Sequence, residues 1–145
     1  MEIFHNRVVT KVATQTALTS MQILVIMLGG GLGAVARFVL STTVNEKLST
    51  NFPYGTLTVN VLGSFVMGFL AVFLVEKMGL DPLLRLGIFV GFLGAFTTFS
   101  TFSMETLNLL EQGESLRALV NIFISVSFSV LAVWLGAILA KQLGS

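Results

Sequence analysis

The sequence predicts an all-α integral membrane protein with four transmembrane helices per subunit, the third of them broken. Three observations carry this prediction. Of the 145 residues, 54% are hydrophobic and only 10% are charged, against about 25% charged in a soluble domain. So short a chain has a high surface-to-volume ratio, and eight Lys and Arg with seven Asp and Glu cannot cover a water-facing surface. Next, the apolar residues fall into four runs, each near the ~20 residues that a spanning helix needs. Last, a glycine followed by a dense Ser/Thr cluster lies in the middle of the third run. The composition also narrows function. With no Cys and one His, thiol nucleophiles, disulfides and multi-histidine metal sites within one chain are excluded, and the chain does not read as an enzyme. A net charge of +1 gives no reason to expect nucleic acid as a partner.

Residues 1–20 carry charges, Thr and Gln and no long apolar run. They lack the apolar segment and cleavage site of a signal peptide. They read as a flexible extension, with a surface helix as the alternative and Met21 as an alternative start, ahead of a membrane domain at 21–145.

The first span, 23–44, contains Gly29-Gly30-Gly31-Leu32-Gly33-Ala34. Gly29 and Gly33 form a small-xxx-small pair that lets helices approach closely. A phosphate loop would need a following Lys-Ser/Thr, which is absent. Arg37 lies four residues after Gly33, where a charge must be paired or reach the interface. It reads as an anchor or as an attractor of anions. The second span, 55–75, follows Pro53, which suits a first helical turn. Asn60 sits inside it with two donors and an acceptor, to be met by another helix or by a water-filled path.

The third span, 83–109, includes Gly94-Ala95-Phe96-Thr97-Thr98-Phe99-Ser100-Thr101-Phe102-Ser103-Met104-Glu105. Ser and Thr hydroxyls compete for backbone groups, so this run predicts a broken helix, with a continuous helix carrying back-bonded hydroxyls as the alternative. Unwound backbone at bilayer depth survives where it is buried in protein or lines a cavity, and its freed carbonyls can bind a small cation. Phe96, Phe99 and Phe102 recur every three residues, for packing or to turn their positive ring edges toward an anion. Glu105 ends the run, to cap, to pair with Arg37 or to gate. In the fourth span, 116–140, Asn121, Ser125 and Ser129 recur every four residues and share one helix face. Ser127 points elsewhere, and Trp134 reads as packing or an interface anchor.

The connectors at 45–54, 76–82 and 111–115 are short, so successive spans run antiparallel and both termini lie on one side. That side holds Arg7, Lys11, Lys77, Arg85 and Lys141, and the other holds Lys47 and Arg117. Without the extension the balance is nearly even, which permits both orientations and hence an antiparallel homodimer. The extension's two charges can equally fix the termini inside. Four spans also struggle to shield Arg37, Asn60, Glu105, Asn121 and many hydroxyls alone, which favours self-association.

The polar groups near the span centres are uncharged donors. Conduction needs binding that is favourable but weak, and neutral donors suit a small anion that is desolvated and then released. The residues alone do not choose the anion. The motifs resemble those of the Fluc (CrcB-type) fluoride channel family. The matching pieces are Gly29 to Ala34 with Arg37-Phe38, Gly55-Thr56-Leu57-Thr58-Val59-Asn60 with Gly63-Ser64-Phe65, and above all the third-span run from Gly91 to Ser103 with Glu105. The resemblance covers about residues 22–143.

It implies an antiparallel, dual-topology homodimer in the inner (plasma) membrane, surrounded by lipid, with two pores that export fluoride passively. Asn60, Phe99 and Phe102 match pore residues, and Ser125 and Ser129 belong to a hydroxyl track. The break would hold one structural Na⁺ at the dimer two-fold through the carbonyls of Gly94 and Thr97, with Ser100 and Thr101 at the break. Asn121 stands where an aromatic hydroxyl is usual, though its amide can still donate. A rival reading is a four-helix, cation-coupled multidrug transporter. That chemistry wants a central carboxylate, and Glu105, late in its span, is the only candidate. A non-transporting assembly subunit is a third reading.

Overall fold

The structure, a computed structural model, describes residues 2–48 and 51–143. Helix α1 is Glu2–Leu48. Helix α2, Tyr54–Leu70, continues as a π-helical stretch, Ala71–Lys77. Helix α3, Pro82–Arg85, passes into a second π-helical stretch, Leu86–Leu93, and then into α4, Gly94–Phe96. Helix α5 is Phe99–Glu111 and α6 is Ser115–Gln142. No strand occurs among the described residues. Four segments are long and apolar enough to cross a membrane: Leu18–Leu48, Tyr54–Glu76, Pro82–Glu111 and Ser115–Gln142. They contain the four predicted spans and overrun every end, because a helix does not stop where its apolar run stops. Helix α1 carries both the polar extension and the first span, so its 47 residues extend about 70 Å, more than twice the hydrocarbon thickness.

Local chemistry sets the ends. Asp81 caps α3, its Oδ1 accepting from the amides of Leu83 at 2.8 Å and Leu84 at 3.4 Å. Pro82 opens that helix, where its missing N–H costs nothing. Gly113 turns the chain between α5 and α6 at φ +78°, a conformation that favours glycine.

Two helix pairs build the subunit. Span one packs on the first half of span three, and α2 packs on α6. Both contacts rest on glycine. A Cβ at Gly29 would strike the Gly87 carbonyl, and one at Gly33 the Phe92 carbonyl. Across the other pair, Gly68 faces the Val133 carbonyl and Gly136 the Phe65 carbonyl. Without a hydrophobic drive between helices in lipid, such backbone proximity is what holds spans together.

The distribution of polarity is inverted relative to a water-soluble fold. Phe38 and Phe123 are 68% and 72% exposed, whereas Thr56, Thr98, Thr106, Asn121 and Ser125 are buried. Large apolar side chains lie on the outside and several hydroxyls and amides lie inside, the arrangement that a bilayer favours.

Candidate functional site

The third span is interrupted between α4 and α5. Thr97 (φ −78°, ψ 155°) and Thr98 (φ −150°, ψ 116°) are both extended. Two helix ends therefore meet at bilayer depth, and their unpaired groups need partners. The Thr97 amide and its Oγ1 both donate to the Leu93 carbonyl, at 3.1 and 3.0 Å. The Thr98 amide donates to Asn60 Oδ1 at 2.7 Å, and Asn60 Nδ2 donates back to the Thr98 carbonyl at 3.0 Å. The Thr101 amide donates to Thr98 Oγ1 at 3.2 Å, which makes Thr98 the N-cap of α5. In a continuous helix the Thr98 amide would bond the Gly94 carbonyl, and the Thr101 amide the Thr97 carbonyl. Both donors are diverted, so the carbonyls of Gly94 and Thr97 lose their helical partners. Ser100 and Thr101, expected at the break, instead occupy the first turn of α5. Thr98, not Ser100, supplies the capping oxygen of α5.

A cavity of about 450 Å³ opens beside this interruption. Asn60, Ser64, Phe99, Phe102, Ser125 and Ser129 line it. Phe99 and Phe102 stand 5.5 Å apart between ring centroids, tilted by 43°. Phe99 is 78% exposed and Phe102 only 7%. The phenylalanine stripe therefore divides. Phe96 is buried, stacks on Phe92 at 6.0 Å and does not line the cavity. Asn60 spends one N–H on Thr98, and the second N–H of the amide remains.

Asn121 does not line the cavity. It is 1% exposed, donates from Nδ2 to Thr106 Oγ1 at 2.9 Å and accepts from Ser125 Oγ at 3.3 Å. Arg37 and Glu105 lie apart from both the cavity and each other. Arg37 borders a second cavity of about 170 Å³ with Ser41, Thr56, Thr98 and Thr101. Glu105 borders a third, of about 260 Å³, with Asn45, Asn51, Asn108 and Gln112. Thr56 donates to Glu105 Oε1 at 2.8 Å, while Glu105 Oε2 is buried with no hydrogen-bond partner. Arg117 and Glu114 form an ion pair on the surface at 3.2 Å, whereas Glu105 is bonded by Thr56 and not by Arg37. Trp134 is exposed on the surface of α6.

The sequence model of the family described as "CrcB-like protein, Camphor Resistance (CrcB)" matches residues 24–137, well over half of the chain. The chain belongs to the CrcB family. A CrcB-family relative from Magnetococcus marinus is 50% identical over 121 residues, 83% of this chain and 98% of that protein. One from Coxiella burnetii is 43% identical over 124 residues, 85% of this chain and all of that protein. One from Methylococcus capsulatus is 48% identical over 124 residues, 86% of this chain and 54% of that protein, so the chain spans about half of this longer relative. All three carry the name "Fluoride-specific ion channel FluC". The family is one of ion channels and not of enzymes.

Within this CrcB subunit the cavity gathers five of the six expected pore residues: Asn60, Phe99, Phe102, Ser125 and Ser129. The sixth, Asn121, stands behind Ser125. Sequence reasoning missed Thr56, Thr98 and Thr106, which hold Glu105, Asn60 and Asn121. Thr56 and Thr106 act through their hydroxyls and Thr98 through its backbone amide and carbonyl, and nothing in their spacing marks them among many Ser and Thr. Only the packing of α2 and α6 against α5 gives them partners.

Proposed function

We propose that the chain is a fluoride-selective channel that exports fluoride passively, working as an antiparallel homodimer with two pores in the inner (plasma) membrane. The observation that carries the reading is the cavity itself: its polar lining is uncharged and converges on two phenylalanines. The names of the relatives supply the choice of fluoride. Asn60 and the hydroxyls replace part of the ion's hydration, and the ring edges of Phe99 and Phe102 add a weak positive field. No full positive charge lines the cavity, so the ion is not trapped, and binding stays weak enough for conduction. No carboxylate lines it either, which leaves nothing to couple flow to protons. Arg37, at a separate opening, attracts anions toward the mouth.

Two features support pairing with an inverted copy. Phe99 stands 78% exposed at the cavity's edge, and the near balance of loop charges allows both orientations. Among the described residues no three His, Asp or Glu side chains come together, so a cation would be held by oxygens of the backbone. The freed carbonyls of Gly94 and Thr97 fit Na⁺, and two copies of each would complete a site on the two-fold. Such an ion supplies a fixed positive charge that holds the diverted carbonyls together. The deciding experiment is efflux from liposomes containing the purified protein. Fluoride efflux with little chloride efflux is expected; equal flux of both ions, or none, overturns the reading.

A further inference from the structure

The fourth-span polar track is not a uniform row of donors, because one chain of hydrogen bonds assigns its protons. It starts at the Phe102 carbonyl, which can only accept. Thr106 Oγ1 donates its single proton there at 2.8 Å. Toward Asn121, Thr106 then offers only lone pairs, so the Asn121 amide must present Nδ2, as it does at 2.9 Å. That turns Oδ1 toward Ser125, and the Ser125 proton goes to Asn121 at 3.3 Å. Thr106 and Asn121 are buried and do not line the cavity, so water does not compete for their hydrogen bonds. Ser125 lines the cavity, yet its proton points away from it. What it shows an entering ion is oxygen lone pairs. Ser129, one turn on, also lines the cavity and gives its proton to no described group.

From this chain, and resting on the fluoride-channel reading above, we infer that Asn121 is a positioning residue that withholds the Ser125 donor from the pore, so that Ser129 presents the donating hydroxyl to the anion. The side chain at position 121 thereby tunes how strongly the track holds the ion. An anion is stabilised by proton donors and repelled by lone pairs. Releasing Ser125 adds a donor, and one such hydrogen bond is worth about threefold to tenfold in affinity.

The test uses full-length protein in liposomes, with fluoride flux measured against fluoride concentration, for Thr106→Val, Asn121→Ala, Ser125→Ala, Ser129→Ala and the double variant Thr106→Val with Ser125→Ala. Thr106→Val conserves shape and lets the Asn121 amide turn over, so it keeps the test open if Asn121→Ala folds poorly. Both Thr106→Val and Asn121→Ala are expected to lower the half-saturating fluoride concentration by about threefold to tenfold. Ser129→Ala is expected to raise it by a similar factor, and Ser125→Ala to change it less. The double variant is expected to behave as Ser125→Ala alone, because the effect passes through that hydroxyl. If Thr106→Val shifts the curve equally with and without Ser125, the two sites are additive and the inference falls, while the channel reading stands. If the unaltered protein passes no fluoride, both fall.

Discussion

Asn60 and Thr98 exchange two hydrogen bonds, the Thr98 amide to Asn60 Oδ1 at 2.7 Å and Asn60 Nδ2 to the Thr98 carbonyl at 3.0 Å. The side-chain amide thus stands in for a neighbouring strand at the one place where span three is extended. It satisfies both backbone groups of a buried residue at bilayer depth, where an unpaired group costs several kcal/mol. It also fixes which way the amide faces, and so which N–H is left for the cavity. Helix break and cavity lining depend on the same side chain.

Replacing Asn60 therefore has two separable consequences. Asn60→Leu leaves the Thr98 N–H and C=O without partners and is expected to cost about 2–6 kcal/mol in folding. Thermal unfolding of the protein in detergent measures this. Asn60→Asp keeps the acceptor for the Thr98 amide but loses the donor and adds a negative charge. Fluoride flux is expected to fall while the proposed dimer persists by size-exclusion chromatography.

The two cavity phenylalanines are expected to respond differently. Phe99 is exposed in the subunit, so Phe99→Ile changes subunit stability by about 0.5 kcal/mol or less yet suppresses fluoride flux. Phe102 is buried, and Phe102→Ala is expected to cost about 3–5 kcal/mol from the hole it leaves. Unfolding and flux measured side by side separate these outcomes. Normal flux through Phe99→Ile would remove that ring from the conduction path.

Glycine substitutions discriminate packing from composition. Gly33 approaches the Phe92 carbonyl so closely that a Cβ does not fit, whereas a Cβ at Gly31 meets nothing within 4 Å. Gly33→Ala is expected to destabilise by about 1–3 kcal/mol through overpacking. Gly31→Ala is expected to be neutral or to stabilise by up to about 1 kcal/mol, because alanine is the better helix former. Melting temperatures in a common detergent check the contrast.

Orientation is expected to follow the extension. Arg7 and Lys11 lie within about 15 residues of the first span and so count toward the charge balance. Replacing both with Gln leaves Lys77, Arg85 and Lys141 facing Lys47 and Arg117. The antiparallel dimer needs both orientations in the unaltered protein, and reporter fusions at the C-terminus are expected to lose in the double variant whatever excess of cytoplasmic ends the extension imposes. An unchanged ratio would show that the extension does not steer insertion.

The four spans, the glycine contact at Gly29 and Gly33, and the shared face of Asn121, Ser125 and Ser129 were legible in the sequence, whereas bringing Asn60, Phe99 and Phe102 to that face was an implication of the family resemblance. Run length and periodicity are local properties, and in a bilayer they leave few alternatives. The residue at which span three opens was not legible. Thr97, Thr98, Ser100 and Thr101 have similar propensities, and the choice among them is made by Asn60 reaching over from α2. Nor was the orientation of the Asn121 amide. Its spacing puts it on the face of Ser125 and Ser129, but Thr106 on α5 sets its donor order. The chain alone determined how many helices form and which faces carry polar groups. Tertiary structure decided which donor meets which acceptor between helices, as for Asn60 with Thr98 and Asn121 with Thr106, because such partners are set by packing and not by spacing.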